Sequence, residues 1–88
     1  MLEKRFTIKN KLGLHVRPAA LLVQITNKHA ADVFIARNGN KVNGKSIMGI
    51  LTLAAGQDSQ IILYVSGEDE EIVMGKLAEL IENGFGEE

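Results

Sequence analysis

Apolar side chains recur along this chain with two periods, and these periods divide it into strands and helices. Alternating polar and apolar residues, or a short apolar run between turn residues, predict a strand, whereas apolar residues three and four apart predict a helix. The predicted elements are, in chain order, a strand over 5–9, a helix over 16–28, strands over 32–37 and 40–43, a helix over 47–53, a strand over 60–65 and a helix over 69–83. The order is therefore β-α-β-β-α-β-α.

Turn and cap residues mark the boundaries between these elements. Asn38-Gly39 between two strands is typical of a type I′ turn. Ser46 is placed to cap the second helix, because its hydroxyl can accept a hydrogen bond from an early backbone N–H. Gly84 is placed as the C-cap of the last helix. These signals support the division into elements independently of the hydrophobic pattern.

The same pattern predicts which residues are buried. The continuous apolar run over 60–65 predicts the central strand of the sheet. The last helix is expected to bury one apolar stripe: Ile72, Val73, Leu77, Leu80 and Ile81. Phe85 is expected to anchor the end of that helix, and Glu87 and Glu88 to form a frayed tail. Because helices on one side of a single sheet bury every amphipathic stripe, we expect an α+β fold.

Composition excludes several classes of protein. A chain of 88 residues is expected to form one domain over 1–88, and 45% apolar and 24% charged residues are ordinary globular values. The apolar runs at 19–23 and 61–65 fall far short of the ~20 residues of a membrane-spanning helix. We expect no leader segment and no membrane contact. A net charge of −1 does not favour nucleic-acid binding, and the absence of cysteine suits a reducing cytoplasm.

The segment Gly13-Leu14-His15-Val16-Arg17-Pro18-Ala19-Ala20 carries the candidate chemistry. The start of a helix offers unpaired N–H groups to an anion. An imidazole at that place is a nucleophile near neutral pH, and the Arg17 guanidinium can bind phosphate oxygens. Spacing alone leaves the alternative that His15 is a capping or surface residue and Arg17 a solvated charge. His15 and His29, without cysteine, give no zinc-site spacing.

This segment closely resembles the signature of the HPr family, the histidine-containing phosphocarriers of the bacterial sugar phosphotransferase system. A second resemblance lies at Asn43-Gly44-Lys45-Ser46-Ile47-Met48-Gly49-Ile50-Leu51, and the similarity covers the whole chain. It implies an open-faced β-sandwich with four antiparallel strands and three helices on one face. It also implies a carrier rather than a free-standing enzyme, with no cofactor or metal. Enzyme I would phosphorylate His15 on Nδ1, the pros nitrogen, and EIIA domains of sugar permeases would receive the group.

The resemblance also implies roles for residues around His15. The N–H groups of Val16 and Arg17, with the Arg17 guanidinium, would hold the phosphoryl group. Val16 departs from the more common alanine or threonine but keeps its N–H. An exposed apolar patch is expected to dock partners, and we call it the docking patch: Val16, Ala20, Ile47, Met48 and Leu51. Ile50 and Leu53 are assigned to the core instead.

Ser46 and His29 receive different interpretations. The string around Ser46 resembles HPr proteins phosphorylated there by HPr kinase/phosphorylase, which would add about −2 charge beside the docking patch. That modification would link the protein to a transcriptional regulator. His29 is expected to be a solvated histidine near the C-terminal end of the first helix, without a function.

Two alternative functions stay open. One is a nitrogen-related HPr paralogue in a regulatory phosphorelay, because the 43–48 segment also resembles those sequences. The other is a regulatory binding module that transfers no phosphate, which the presence of both His15 and Arg17 disfavours.

Overall fold

The computed structural model describes residues 1–87 and contains, within them, the predicted order of elements. Their bounds are β1 (Leu2–Thr7), α1 (Val16–Thr26), β2 (Asp32–Arg37), β3 (Asn40–Asn43), α2 (Ile47–Leu51), β4 (Gln60–Ser66), α3 (Glu70–Glu82) and a 3-10 turn at Gly84–Gly86. The four strands pair antiparallel in the order β1-β4-β2-β3. The fold is the open-faced sandwich expected, with β4 in a central position.

The core lies between the sheet and the helices. Every second residue of β4 is buried, as in a strand with one covered face. Fully buried aliphatic side chains come from all three helices and from the inner strands: Leu22, Ile35, Ile50, Ile61, Leu63, Leu77 and Ile81. Burying each such side chain is worth about 1.5–3 kcal/mol. The core therefore fixes the position of all three helices on one face of the sheet.

The predicted turns are present. Asn38 and Gly39 have φ of 51° and 85°, as a type I′ turn requires, and they join β2 to β3. Gly84 has φ of 62° directly after α3 and its C-cap Asn83, and Phe85 is buried at 3% exposure. The anchor prediction is thus confirmed, whereas the C-cap is Asn83, one residue before the predicted Gly84, which takes the left-handed position that follows the cap.

Some boundaries differ from the prediction because tertiary contacts decide them. The first strand begins at Leu2, since β1 pairs with β4 from Leu2↔Val65 to Thr7↔Gln60. As an edge strand, β1 leaves residues 3–5 exposed, so the alternating pattern marks only part of it. The helix α1 ends at Thr26, whose buried Oγ1 donates to the carbonyl of Gly44. The helix α2 ends at Leu51, two residues earlier than predicted.

The side of α3 that faces the core is rotated slightly from the predicted one, so the prediction was wrong for part of the buried stripe. Ile72 is 60% exposed, and Leu80 is only partly buried. Val73, Leu77 and Ile81 are buried as predicted, and Met74 and Ala78 complete the stripe. Because residues 72–74 are all apolar, the sequence does not define which of them faces inward.

Within residues 1–87, no helix is long and apolar enough to cross a membrane.

Candidate functional site

His15 lies at the start of α1 with its backbone extended and its side chain turned away from the capping position. It is the N-cap residue, with φ of −83° and ψ of −171°, and its ring makes no capping hydrogen bond. The N–H of Ala19 bonds to the carbonyl of His15 at 3.0 Å, and Pro18 has no N–H. The N–H groups of Val16 and Arg17 therefore have no partner within the helix. They leave free donors at the positive end of α1 directly beside the imidazole, where an anion could be accepted.

A tight loop before α1 sets the direction of this start. Gly13 has φ of +70°, and its N–H donates to the carbonyl of Asn10. The next residue, Leu14, is buried and donates its N–H to the carbonyl of Ala55 at 2.8 Å. A Cβ on Gly13 would collide with that carbonyl. Only glycine fits this position, both for its φ and for the close approach.

Glu87, which was predicted to be part of a frayed tail, instead binds the ring of His15, so that prediction was wrong. Its two carboxylate oxygens lie 3.1 and 3.0 Å from His15 Nε2. Its side chain is only 14% exposed, compared with 35% for His15. The positive-φ backbone of Gly84, Phe85 and Gly86 turns the chain after α3, and Glu87 follows this turn directly. Glu88 lies outside the described residues.

Asn10 holds the carboxylate of Glu87 in place. Its Nδ2 donates to Glu87 Oε1 at 2.9 Å and to the carbonyl of Gly13 at 2.8 Å. Both partners only accept, so the amide must present its nitrogen to them. Asn10 is 1% exposed and was not singled out from the sequence. A buried amide thus connects the loop before α1 with the segment after α3.

The contact with Glu87 determines which ring nitrogen of His15 carries the proton and which keeps a free lone pair. A carboxylate accepts hydrogen bonds, so Nε2 carries the proton and Nδ1 keeps its lone pair in the neutral ring. The hydrogen bond from His15 is the largest cause that lowers the pKa of Glu87, followed by the bond from Asn10. Glu87 is therefore the ionised partner, and Nδ1 is the ring nitrogen with a free lone pair.

Arg17 lies in the first turn of α1 and is exposed. Its positive charge makes a further, smaller contribution to the lowered pKa of Glu87. The guanidinium is thus within electrostatic range of the His15–Glu87 pair. Its planar donors suit an anion held there.

The expected docking patch lies on two neighbouring helices, since α1 and α2 pack against each other. Met48 and Val16 are 73% and 61% exposed. The other three members, Ala20, Ile47 and Leu51, are partly buried. Ile50 and Leu53 belong to the core, as predicted. Leu12, in the loop before His15, is a further exposed apolar residue, 70% exposed, that the prediction did not include.

Ser46 caps α2 as predicted. Its Oγ accepts a hydrogen bond from the N–H of Gly49 at 3.0 Å. The neighbouring Met48 is the most exposed member of the docking patch. A charge added to Ser46 would therefore lie next to exposed apolar surface.

His29 is not a solvated residue, contrary to the prediction. Its side chain is 15% exposed, and its Nδ1 lies 3.0 Å from Asp69 Oδ2. Its Nε2 lies 3.2 Å from Nζ of Lys76. Partial burial alone would raise the pKa of Asp69, but hydrogen bonds from the backbone and from His29 lower it. His29 thus joins the end of α1 to the start of α3 and has a structural role.

Comparisons with known proteins agree with this geometry. The family model described as "PTS HPr component phosphorylation site" matches residues 2–83. The phosphocarrier protein HPr of Xylella fastidiosa is 47% identical over 88 residues, which cover 100% of this chain and 99% of the relative. The HPr-like protein Crh of Halalkalibacterium halodurans is 48% identical over 82 residues, which cover 93% and 98% of the two chains.

A solved structure shows the same fold. The crystal structure of HPr-C-His from Thermoanaerobacter tengcongensis superposes with a TM-score of 0.95 at 46% identity and covers 100% of this chain and 99% of the other. The match of the family model, the identity over the full chain and the shared fold lead to one conclusion. The chain belongs to the HPr family of the phosphotransferase system, whose members are phosphocarriers and not free-standing enzymes.

Proposed function

We propose that His15 is the residue of this carrier that is phosphorylated, on Nδ1, by Enzyme I and that it then donates the group to EIIA domains. The observation that carries the proposal is the contact between His15 Nε2 and the Glu87 carboxylate at 3.0 Å. It leaves the Nδ1 lone pair free to attack phosphorus while the bond from phosphorus to the donor breaks. It also retains the proton on Nε2, which makes the imidazole a good leaving group in the next transfer.

The start of α1 supplies the groups that would stabilise the added negative charge. The N–H groups of Val16 and Arg17 and the Arg17 guanidinium would contact a phosphoryl group on His15. Each charge-assisted hydrogen bond contributes about 1.5–3 kcal/mol. Arg17 is exposed and not fixed in the core, so it can follow the group as it enters and leaves. Moderately tight binding of the phosphoryl group suits a carrier, since tighter binding would slow its donation to the next protein.

The docking patch would bring partners to this site. Met48 and Val16 present apolar surface on the same pair of helices. Methionine adapts to different contact surfaces, which suits a carrier with several partners. We therefore assign the docking patch to contact with Enzyme I and with EIIA domains.

Ser46 is proposed as a site of regulation by HPr kinase/phosphorylase. Its phosphate would lie at the positive end of α2, which tolerates negative charge. It would also place about −2 charge beside Met48 and weaken apolar docking. A link to a transcriptional regulator would use this modified surface.

A regulatory role is the second candidate. Its support is the 48% identity to the HPr-like protein Crh, which is close to the 47% identity to the HPr of Xylella fastidiosa. A nitrogen-related phosphorelay belongs to the same class of alternatives. Comparing the rates at which a sugar-branch and a nitrogen-branch Enzyme I phosphorylate the protein separates these possibilities.

The decisive test of the nitrogen assignment is a ring NMR spectrum of the protein phosphorylated by Enzyme I and phosphoenolpyruvate. We expect phosphorus to couple to Nδ1 of His15, and the group to pass to an EIIA domain on mixing. Phosphorylation on Nε2 would contradict the role given to Glu87. Failure to donate to any EIIA domain would favour the regulatory role.

A further inference from the structure

The face of the sheet opposite the helices carries a row of four directly paired residues. Arg5 faces Ile62 across β1 and β4, Ile62 faces Ala36 across β4 and β2, and Ala36 faces Lys41 across β2 and β3. Directly paired residues lie on the same side of a sheet. At about 4.8 Å per strand, the row extends about 14 Å from Arg5 to Lys41. It has a cation at each end and an apolar floor between them.

A surface cavity of about 370 Å³ lies over this row. Besides the row, its lining includes Tyr64 and the β2–β3 turn with Arg37, Asn38 and Gly39. Among residues 1–87 its lining includes the positively charged side chains of Arg5 and Lys41 and no acidic residue. The volume is at the lower end of the range of about 300–1,000 Å³ found for small-ligand sites. The cavity thus fits a small anion with an apolar body.

The positive charges of the cavity have no acidic partner among the ion pairs of residues 1–87. Arg37 follows Ala36 in β2 and turns its side chain to the helix side of the sheet, where its Nη1 donates to the carbonyl of Leu53 at 3.1 Å. Lys41 Nζ lies 4.3 Å from the ring centroid of Tyr64 and 5.3 Å from that of Phe34. Two aromatic rings can hold this ammonium but do not neutralise its charge.

Two acids on this face do not line the cavity. Glu3 pairs with Tyr64 in the row next to the cavity, and Asp32 pairs with Ser66 one row further from the β2–β3 turn. The face is therefore more positive at the β2–β3 turn than at its other end. An anion that approaches it is directed towards Lys41.

We propose that this cavity binds a small organic phosphate with a flat ring, of the size of a nucleoside mono- or diphosphate. The phosphate oxygens contact Lys41, the cation at the end of the row beside the exposed β2–β3 turn. The ring lies on Ile62 and Ala36, and Arg5 contacts its far end. The apolar floor is what distinguishes this site from a general anion site, since inorganic phosphate cannot use it.

Titration of the full-length protein with ADP, followed by ¹H–¹⁵N NMR, tests the proposal. We expect saturable shifts confined to the cavity, at the amides of Asn38, Gly39, Lys41 and Ile62. Pyrophosphate, which has the charge but no ring, should bind at least about tenfold more weakly. Arg5→Ala and Lys41→Ala should each weaken ADP binding about tenfold, as the loss of one charge-assisted contact predicts. Lys28→Ala, an exposed lysine elsewhere on the molecule, is the matched control and should leave it unchanged.

Three results of the ADP and pyrophosphate titrations would overturn the proposal. They are shifts that do not saturate, equal affinities for ADP and pyrophosphate, and ADP binding that survives both cavity substitutions. A single-stranded oligonucleotide that binds more tightly than ADP would also overturn it and indicate an extended nucleic-acid surface. Phosphorylation by Enzyme I should be normal in both variants, because neither residue belongs to the His15 site. The result on the cavity is thus independent of the proposed carrier chemistry.

Discussion

Replacing Ser46 by alanine and by aspartate should change stability and partner binding in opposite directions. In the structure, Ser46 Oγ accepts a hydrogen bond from the N–H of Gly49 at 3.0 Å at the start of α2. Alanine removes this acceptor. Aspartate retains an acceptor oxygen and adds negative charge at the positive end of the helix.

The expected magnitude follows from this single bond. Loss of an N-cap costs about 0.5–2 kcal/mol of the free energy of unfolding. Ser46 is half-buried, so water can solvate the freed N–H of Gly49, and we expect a loss of about 1 kcal/mol. For a domain of this size, that loss lowers the melting temperature by about 4–8 °C. The aspartate variant should melt at or slightly above the wild-type temperature, given a helix-dipole contribution of about 0.3–1 kcal/mol.

Thermal unfolding followed by circular dichroism, and titration calorimetry with Enzyme I, measure the two effects. Ser46→Asp should bind Enzyme I more weakly, because the carboxylate lies beside the docking patch, whereas Ser46→Ala should bind almost normally. Added salt should reduce the defect of the aspartate variant, since exposed charges are screened. Ser66→Ala, at an exposed serine in β4, is the matched control and should change stability by less than about 0.5 kcal/mol.

Two outcomes would refute the reasoning. If Ser46→Ala melts with the wild type, the hydroxyl does not cap α2 in solution. If Ser46→Asp binds Enzyme I as well as the wild type, the docking patch is misplaced and Ser46 is only a cap.

Three further predictions concern the His15 site. Arg17→Ala should slow phosphoryl transfer in both directions without changing the melting temperature. Arg17→Lys should restore only part of the rate, because an ammonium lacks the planar donors of a guanidinium. Equal rates in the wild type and both variants would show that the backbone N–H groups suffice to hold the phosphoryl group. Because His15 holds the pKa of Glu87 below its usual range, the stabilisation from this carboxylate should be complete above pH ~4.3 and lost as the pH falls through the lower folded value. Urea unfolding of wild type and Glu87→Gln should therefore converge in acid, and a difference independent of pH would contradict the contact. Gly13→Ala should destabilise the protein by well over about 1 kcal/mol in urea unfolding, because Gly13 has φ of +70° and the carbonyl of Ala55 blocks a Cβ there. If the variant is as stable as the wild type, the loop before α1 can move to accept the Cβ.

The sequence predicts those features that local patterns encode. The type I′ turn depends on Asn38 and Gly39 alone, and the cap of α2 on Ser46. The start of α1 at Val16 was expected from the family resemblance, since the rule that a residue before proline avoids helical angles would start the helix one or two residues later. The structure accepts this start because a proline in the first turn costs no helical hydrogen bond. The central position of β4 follows from its continuous apolar run.

Contacts between distant segments are not encoded in such patterns. Glu87 binds a histidine 72 residues away, and Asp69 binds one 40 residues away. Neither acid lies in a sequence pattern that identifies the histidine it binds. The rotation of α3, with Val73 inside and Ile72 outside, likewise depends on how the helix packs on the sheet. These features require the assembled fold.

The most direct test of the central claim is transfer of radiolabel from phosphoenolpyruvate through Enzyme I to wild type, His15→Ala and His29→Ala. We expect acid-labile, base-stable label on the wild type, as for phosphate bound to nitrogen, and none on His15→Ala. His29→Ala should be labelled normally, because His29 contacts Asp69 and Lys76 and not the phosphorylation site. Label that persists in a folded His15→Ala protein, or that disappears in a folded His29→Ala protein, would contradict the assignment of His15 as the phosphoryl carrier.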